Sequence, residues 1–411
     1  MPNIADLLTL LEAAVGAGDR ARALDLARQI QQVLVRASHD HAAIERQMRE
    51  LLARLDQPAP TPSAKLTPAD IFGTERGLED AGPAAGTVYP VWFGTNRKPD
   101  GHGGFGSERH LRTTHGRAEV LIPEGHRFGE TGSPFWKNLL RFDLRDDRLR
   151  LQRLTTEERA DWFSEIRQTM RDAKEGGDTP QALFFLHGFN VSFEEAAIRA
   201  AQIGFDLKVP GATAFFSWPS RGSVTAYPAD EASIEASERA ITDFLVDFAS
   251  HCGAEKVHVI AHSMGNRGLL RALQRIAANA ETRGRVKFGQ VFLAAPDVDR
   301  DLFLDLAGLY PPHSERTTLY ISDGDLPVHL SAKLHDAPRA GYFAPYTVAP
   351  GVDTIAVPNF DLDLLGHSYF AEAAALLHDI YSLMRLDAAP GRRQRMTLAV
   401  AGDAHFWELG K

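Results

Sequence analysis

Cysteine is almost missing from this chain: Cys252 is the only one among 411 residues. A lone thiol makes no internal disulfide and no multi-cysteine metal site. No stretch of 18 apolar residues occurs, so no membrane-spanning helix is expected. Positive charge is in deficit, with 45 Lys and Arg against 54 Asp and Glu and a formal net charge of -9. That balance speaks against a nucleic-acid partner. Two histidines four apart with a glutamate after the first do not occur, so a zinc hydrolase of that kind is disfavoured. A Gly-Lys-Ser or Gly-Lys-Thr phosphate loop is absent as well. No metal and no cofactor are expected. The first residues, MPNIADLLTLL, carry an acid early and no basic leader, so a cytoplasmic location is expected.

What is present reads as a soluble globule, 44% hydrophobic and 24% charged. Over residues 3–55, Leu7, Leu11 and Val15, then Leu24, Ala27, Ile30 and Leu34, recur at helical spacing. A helical hairpin or three-helix extension is expected over 1–56, offering a surface for a protein partner or self-association. Residues 57–84 open on QPAPTPSAKLTPAD and read as a linker. From 85 to 390, short apolar runs such as ALFFL at 182–186 alternate with helical patterns. Helices are expected over 155–173, 193–205, 231–248, 268–278 and 368–383. This alternation predicts an α/β domain whose mostly parallel sheet is covered by helices on both faces. The tail, 391–411, is basic and then apolar over 396–401, a candidate edge strand.

The chain is organised around VHVIAHSMGNRGLL, residues 257–270. An apolar strand runs into Ala261-His262-Ser263-Met264-Gly265 and a helical pattern follows at once. This is the layout of a nucleophile elbow, where a sharp turn lifts a serine hydroxyl clear of the sheet. Ala261 stands where a glycine is usual. A serine needs a base, itself oriented by an acid, and in this architecture the acid precedes the histidine. Asp325 follows the strand at 317–322, and His367 lies between the last core strand and the closing helix. Ser263, Asp325 and His367 therefore occur in the required order. Asp323, Asp297 and Asp299 remain alternative acids, and His329 and His335 alternative bases. Asp297 and Asp299 read equally as turn or helix caps. His258, inside its strand, reads as a satisfied core histidine.

An oxyanion hole needs main-chain N–H groups where negative charge develops. One is expected from Met264, the other from Phe189 in the turn His187-Gly188-Phe189-Asn190. His187 and Asn190 are expected to brace that turn around the permissive Gly188. Trp218, Tyr227 and Phe93 are candidates for a pocket lining, with Arg221 and Asp230 at its mouth.

FLHGFN at 185–190, FSWPSRGSVTAYPAD at 216–230, AHSMGNR at 261–267, LAAPDVD at 293–299, YISDGD at 320–325 and LGHSYF at 365–370 together resemble the alpha/beta-hydrolase superfamily. VWFGTNRKP at 91–99 and EVLIPEGHRFGE at 119–130 extend the likeness. Within it the chain resembles a bacterial esterase/lipase-like branch once labelled a domain of unknown function. The resemblance spans about residues 85–385. It implies a serine carboxylesterase for short or medium acyl esters, with Ser263, Asp325 and His367 as triad. The family usually has Ser-x-x-Asp-x-Ala-Leu at the acid; Ser322 and Asp325 fit, but the chain departs from it after Leu326, at Pro327. An amidase, a thioesterase or a non-catalytic scaffold on the same fold remain alternatives.

Overall fold

The computed structural model describes residues 10–11, 86–124, 126, 149–221, 226–322, 331, 335–357 and 370–410. The chain divides into two units, Met1–Asp80 and Ala81–Lys411. The helices expected over 1–56 and the linker 57–84 lie outside the described residues, apart from Leu10 and Leu11, which are helical.

The second unit is built on one sheet. Its strands among the described residues are β1 (Gly86–Pro99), β2 (Phe105–Pro123), β3 (Arg150–Glu157), β4 (Gln181–Leu186), β5 (Gly211–Ser217) and β6 (Lys256–His262). They continue with β7 (Phe288–Ala294), β8 (Ser314–Ile321), β9 (Val352–Ala356), β10 (Met396–Ala401) and β11 (Ala404–Leu409). The spatial order is β10-β11-β9-β8-β7-β6-β4-β5-β1-β2-β3. From β1 through β11 on the other side, neighbouring strands are parallel; β2, β3 and β10 are antiparallel additions.

The helices of seven or more residues among the described residues are α1 (Arg159–Glu175), α2 (Phe193–Asp206), α3 (Tyr227–Ala236), α4 (Glu238–His251), α5 (Gly265–Ala278), α6 (Arg300–Leu306) and α7 (Phe370–Leu386). Successive strand side chains point to opposite faces, which splits the core in two. Phe184 and Phe216 pack with Trp162 of α1, Phe244 of α4 and Leu269 of α5. Phe185 and Phe215 pack with Ala197 of α2 and Leu377 of α7 on the other face. Helices on both faces explain why β4 reads as an unbroken apolar run rather than an alternating one. The expected mostly parallel, doubly covered sheet is the one observed.

Local boundaries differ from the expectation where long-range pairing decides them. The helix expected from 155 starts at Arg159, because β3 continues to Glu157 and pairs it with His115 of β2. The helix expected over 231–248 is two helices parted at Ser237. The Ser237 hydroxyl donates to the Ser233 carbonyl at 2.7 Å and accepts from Asn96 Nδ2 at 2.9 Å, fixing the break. The tail contributes two strands, not one. It is anchored by Arg393, whose buried guanidinium donates to Asp353 at 2.7 Å and to Thr318 at 3.2 Å.

Chain direction also places the crevice. After β4 the chain crosses through α2 to β5 on one side, whereas after β6 it crosses through α5 to β7 on the other. The carboxyl ends of β4 and β6 therefore flank the switch point, where open parallel sheets bind ligands.

Candidate active site

β6 ends at that crevice and the chain turns through Ser263 into α5. Ser263 has φ +48°, a left-handed conformation that non-glycine residues adopt at a cost. The strain is held in place by the surrounding main chain. The Ser263 N–H donates to the Ala294 carbonyl of β7 at 2.9 Å, and the Ser263 carbonyl accepts from Asn266 N and Asp297 N, each at 3.1 Å. The buried Asn266 amide adds bonds to the carbonyls of Ala261 at 3.0 Å, Ser263 at 3.1 Å and Ala294 at 3.3 Å. Asn266 is thus the clamp of the elbow. Sequence reading passed over it; an amide three residues after the serine is the only signal it leaves.

The second turn, at the end of β4, lies directly against the first. A Cβ built on Gly188 falls 3.0 Å from Ser263 Cβ and 3.0 Å from His262 Nδ1, so the two backbones meet where any larger residue crowds them. Met264 precedes the first turn of α5, where N–H groups lack intrahelical acceptors. Among the described residues neither the Met264 N–H nor the Phe189 N–H has a hydrogen-bond acceptor.

The bracing of the Gly188 turn is layered. His187 is buried, with Nδ1 on the Gly188 carbonyl at 2.9 Å and Nε2 on Ser217 Oγ at 3.3 Å. Burial, reinforced by the Arg97 charge, pushes its pKa down to about 3, so the ring is neutral. Trp218 stacks on it at 5.1 Å between ring centroids and donates from its indole N–H to the His187 carbonyl at 2.9 Å. Trp218 is wholly buried, so it supports the turn from within the core rather than lining a cavity. Asn190 sits at φ +59° and its described bond is a main-chain one, N–H to Asp230 Oδ2 at 3.5 Å.

Below this lies a buried cation that sequence reading missed. Arg97, in the VWFGTNRKP run, donates to Ser217 Oγ at 2.8 Å and to the carbonyls of Val191 at 2.7 Å, Ser220 at 2.9 Å and Gly106 at 3.2 Å. Burial lowers its pKa to about 10, against the pull of the Asp230 and Glu195 charges. Asp230 is itself buried, accepting from Ser220 Oγ at 2.5 Å and the Arg221 N–H at 2.8 Å. Burial raises its carboxyl above the usual value despite these bonds. Asp230 is therefore an internal strut of the turn and not a surface charge at a mouth. Phe93 is buried in the second core cluster.

Asp325 and His367 lie outside the described residues, as do Asp323 and His329. The stretches that carry Asp325 and His367 follow the carboxyl ends of β8 and β9, the sheet edge at which Ser263 sits. The two alternative acids among the described residues, Asp297 and Asp299, have other partners. Asp297 accepts from Tyr227 Oη at 2.5 Å and Ser331 Oγ at 2.5 Å, with Arg267 at 3.7 Å and Arg339 at 3.5 Å. Asp299 caps α6 through the N–H groups of Asp301 and Leu302, each at 3.0 Å. His335 bonds Glu231 at 3.0 Å and the Ser331 carbonyl at 2.9 Å. Tyr227 meets the Phe189 ring edge-on at 5.2 Å, and burial together with the Asp297 charge raises its hydroxyl pKa. It thereby couples the Gly188 turn to the Asp297 network. That network also includes Arg267, which pairs with Glu231. A cavity of about 330 Å³ lies against this network beside α5, lined by Glu231, Arg267, Leu270, Asp299, His335 and Arg339.

His258 is a satisfied core ring, with Nδ1 accepting the Gln290 N–H at 3.0 Å and Nε2 3.2 Å from Gln181. Cys252 is buried, its thiol pushed up to about 11 by burial. Among the described residues no cluster suited to a metal ion occurs, and no helix is long and apolar enough to cross a membrane.

Two solved structures are similar in part. An uncharacterized protein from Bacillus cereus ATCC 10987 is 13% identical with a TM-score of 0.34, over 51% of this chain and 61% of its own. A predicted CIB-like hydrolase from Thermoplasma acidophilum is 14% identical with a TM-score of 0.31, over 50% of this chain and 87% of its own. No curated protein matches the chain in sequence. Residues 164–385, which run from α1 through the elbow and into α7, match the family described as "Alpha/beta hydrolase of unknown function (DUF900)", and the chain belongs to that family.

Proposed function

We propose that this protein is a serine hydrolase that transfers an acyl group to Ser263 and then to water, most readily as a carboxylesterase of short or medium acyl esters. One observation carries the reading. Ser263 is held in a strained left-handed turn at the switch point, with the Gly188 backbone against it. Strain of this kind persists only where the surroundings over-determine it, and it clusters at reacting groups.

In the proposed cycle His367 accepts the Ser263 proton as the hydroxyl oxygen attacks the ester carbonyl. The carbonyl π electrons move onto oxygen, which the N–H groups of Met264 and Phe189 stabilise. Collapse expels the alcohol, protonated by His367. Water repeats the sequence on the acyl-serine, releasing acid and free enzyme. Asp325 orients the imidazole. The neutral His187 carries no charge toward the developing oxyanion; its part is to hold the donor turn rigid.

Amides and thioesters yield to the same machinery, so the test pairs covalent labelling with a substrate panel. A fluorophosphonate probe is expected to label the wild type and not Ser263→Ala. Acyl esters of increasing chain length, matched amides and matched thioesters then report the preferred bond. A Ser263→Ala protein that retained full ester turnover, or a wild type inert to the probe and to every ester, sinks the proposal.

A further inference from the structure

We propose that the free edge of β10 pairs with β10 of a second copy of this chain, in antiparallel register about a two-fold axis at Ala399. β10 ends the sheet: its described strand partner is β11 alone. Its other side presents N–H and C=O groups that template a further strand unless charge, proline, a bulge or a cover intervenes. The opposite edge has such guards. β3 carries Arg150, Arg153 and Glu157, and its pairing with β2 shifts register at Glu119. β10 has neither a charge nor a proline between Met396 and Ala401, and its register with β11 runs unbroken. Leu398 and Val400 share one face and stand 55% and 58% exposed.

The sequence around this edge is self-complementary in one register. A two-fold axis through Ala399 sets Leu398 opposite Val400 and Thr397 opposite Ala401, each pair occurring twice. Beyond the two ends of the strand it brings Arg395, which precedes β10, toward Asp403 in the turn that joins β10 to β11. Both are exposed, and neither forms an ion pair among the described residues. Any other axis residue separates Arg395 from Asp403. Apolar pairs directly across strands stabilise sheet pairing, and the antiparallel arrangement draws the positive end of one copy to the negative end of the other. The pairing is isologous and therefore closes at two copies. A single strand pair is smaller than the ~1,200 Å² of a standard interface, so the dimer is expected to form with rising concentration.

Sedimentation equilibrium of the full chain tests this. The wild type is expected to approach twice the 45.2 kDa chain mass as concentration rises. Arg395→Asp and Asp403→Arg are each expected to weaken association at least tenfold, and the double swap to restore it. Arg395 has φ +61°, a region aspartate tolerates, and circular dichroism checks that each variant is folded. Ala399→Cys tests the register itself. Facing Cα atoms lie ~4.5–5.5 Å apart, within the ~4.4–6.8 Å span of a disulfide, so mild oxidation is expected to yield a covalent dimer. Thr397→Cys is expected to stay uncrosslinked, because its two copies stand four residues apart, about 14 Å. A chain that remains at its monomer mass overturns the proposal. So does a dimer indifferent to both charge swaps and refractory to the Ala399→Cys cross-link, which places the contact elsewhere.

Discussion

Gly265 opens α5 where that helix passes closest to β4, and it is the position at which a single methyl group is expected to do most harm. A Cβ built there stands 2.6 Å from the His187 carbonyl oxygen and 2.7 Å from that of Leu186, where ordinary contact begins at 3.4 Å. Both obstructing atoms are main chain, so no side chain can swing aside. Either α5 or the end of β4 must yield by 0.8 Å (3.4 − 2.6). Overpacking of this kind costs about 1–3 kcal/mol. Exchanging a helical glycine for alanine returns at most ~1 kcal/mol. Gly265→Ala is therefore expected to lose about 1–2 kcal/mol of stability. The larger effect falls on turnover. The displaced carbonyl belongs to His187, and the next residue, Gly188, abuts Ser263. A misplacement approaching 1 Å in a reacting geometry can cost on the order of 10²-fold.

The control lies one turn along the same helix. A Cβ on Gly268 meets Ile241 Cδ1 at 2.9 Å and Ile234 Cδ1 at 3.1 Å, both the free ends of side chains that can rotate. Gly268→Ala is expected to stay within ~1 kcal/mol of wild type and to keep its activity. Thermal melting and ester turnover of both variants, with active-site titration of Ser263, make the comparison. Gly265→Ala is expected to lower kcat about 10²-fold while still reacting with the probe. Equal melting and equal turnover for the two variants, or damage confined to Gly268→Ala, would refute the packing argument.

Two further outcomes follow from buried charge. His187 and His258 are pushed down from the ordinary 6.5 to about 3 and about 4. Both bind a proton more readily unfolded, so stability is complete above pH 6.5 and is lost as pH falls toward these values. At ~1.4 kcal/mol per pH unit for each ring, the two together cost about 4 kcal/mol by pH 5. Urea unfolding at pH 7 and pH 5 checks this, and His258→Gln is expected to remove about half of the difference; an unchanged slope in that variant rules the explanation out. Arg97→Met leaves the buried Val191 and Ser220 carbonyls and the half-buried Gly106 carbonyl without this donor and is expected to destabilise by about 3–5 kcal/mol. Arg97→Lys is not expected to recover this in the same unfolding assay, because one ammonium cannot reach acceptors spread over a guanidinium fork.

The parts of this protein that were legible in sequence are those whose causes are local. The apolar run at β4 ends at His187-Gly188, and the run at β6 ends at Ser263. Each reports its own burial through the type and spacing of neighbouring residues. Arg97 reports nothing of the kind. Its acceptors Val191, Ser217 and Ser220 lie 94, 120 and 123 residues away, and in sequence it resembles any arginine in a polar turn. The break at Ser237 likewise depends on Asn96, 141 residues upstream. Spacing alone left Asp297 open as an acid, because it follows a strand at the correct edge. Its environment was not legible: hydroxyls of Tyr227 and Ser331 and the cations of Arg267 and Arg339 converge on one carboxylate. Withdrawing it to serve an imidazole would take the carboxylate away from the Arg339 guanidinium and from the Tyr227 and Ser331 hydroxyls in the interior, though Arg267 keeps Glu231. Each such orphan costs about 1–3 kcal/mol, and more where it is charged. Asp297 is therefore tied, through Tyr227, to the Phe189 ring of the Gly188 turn.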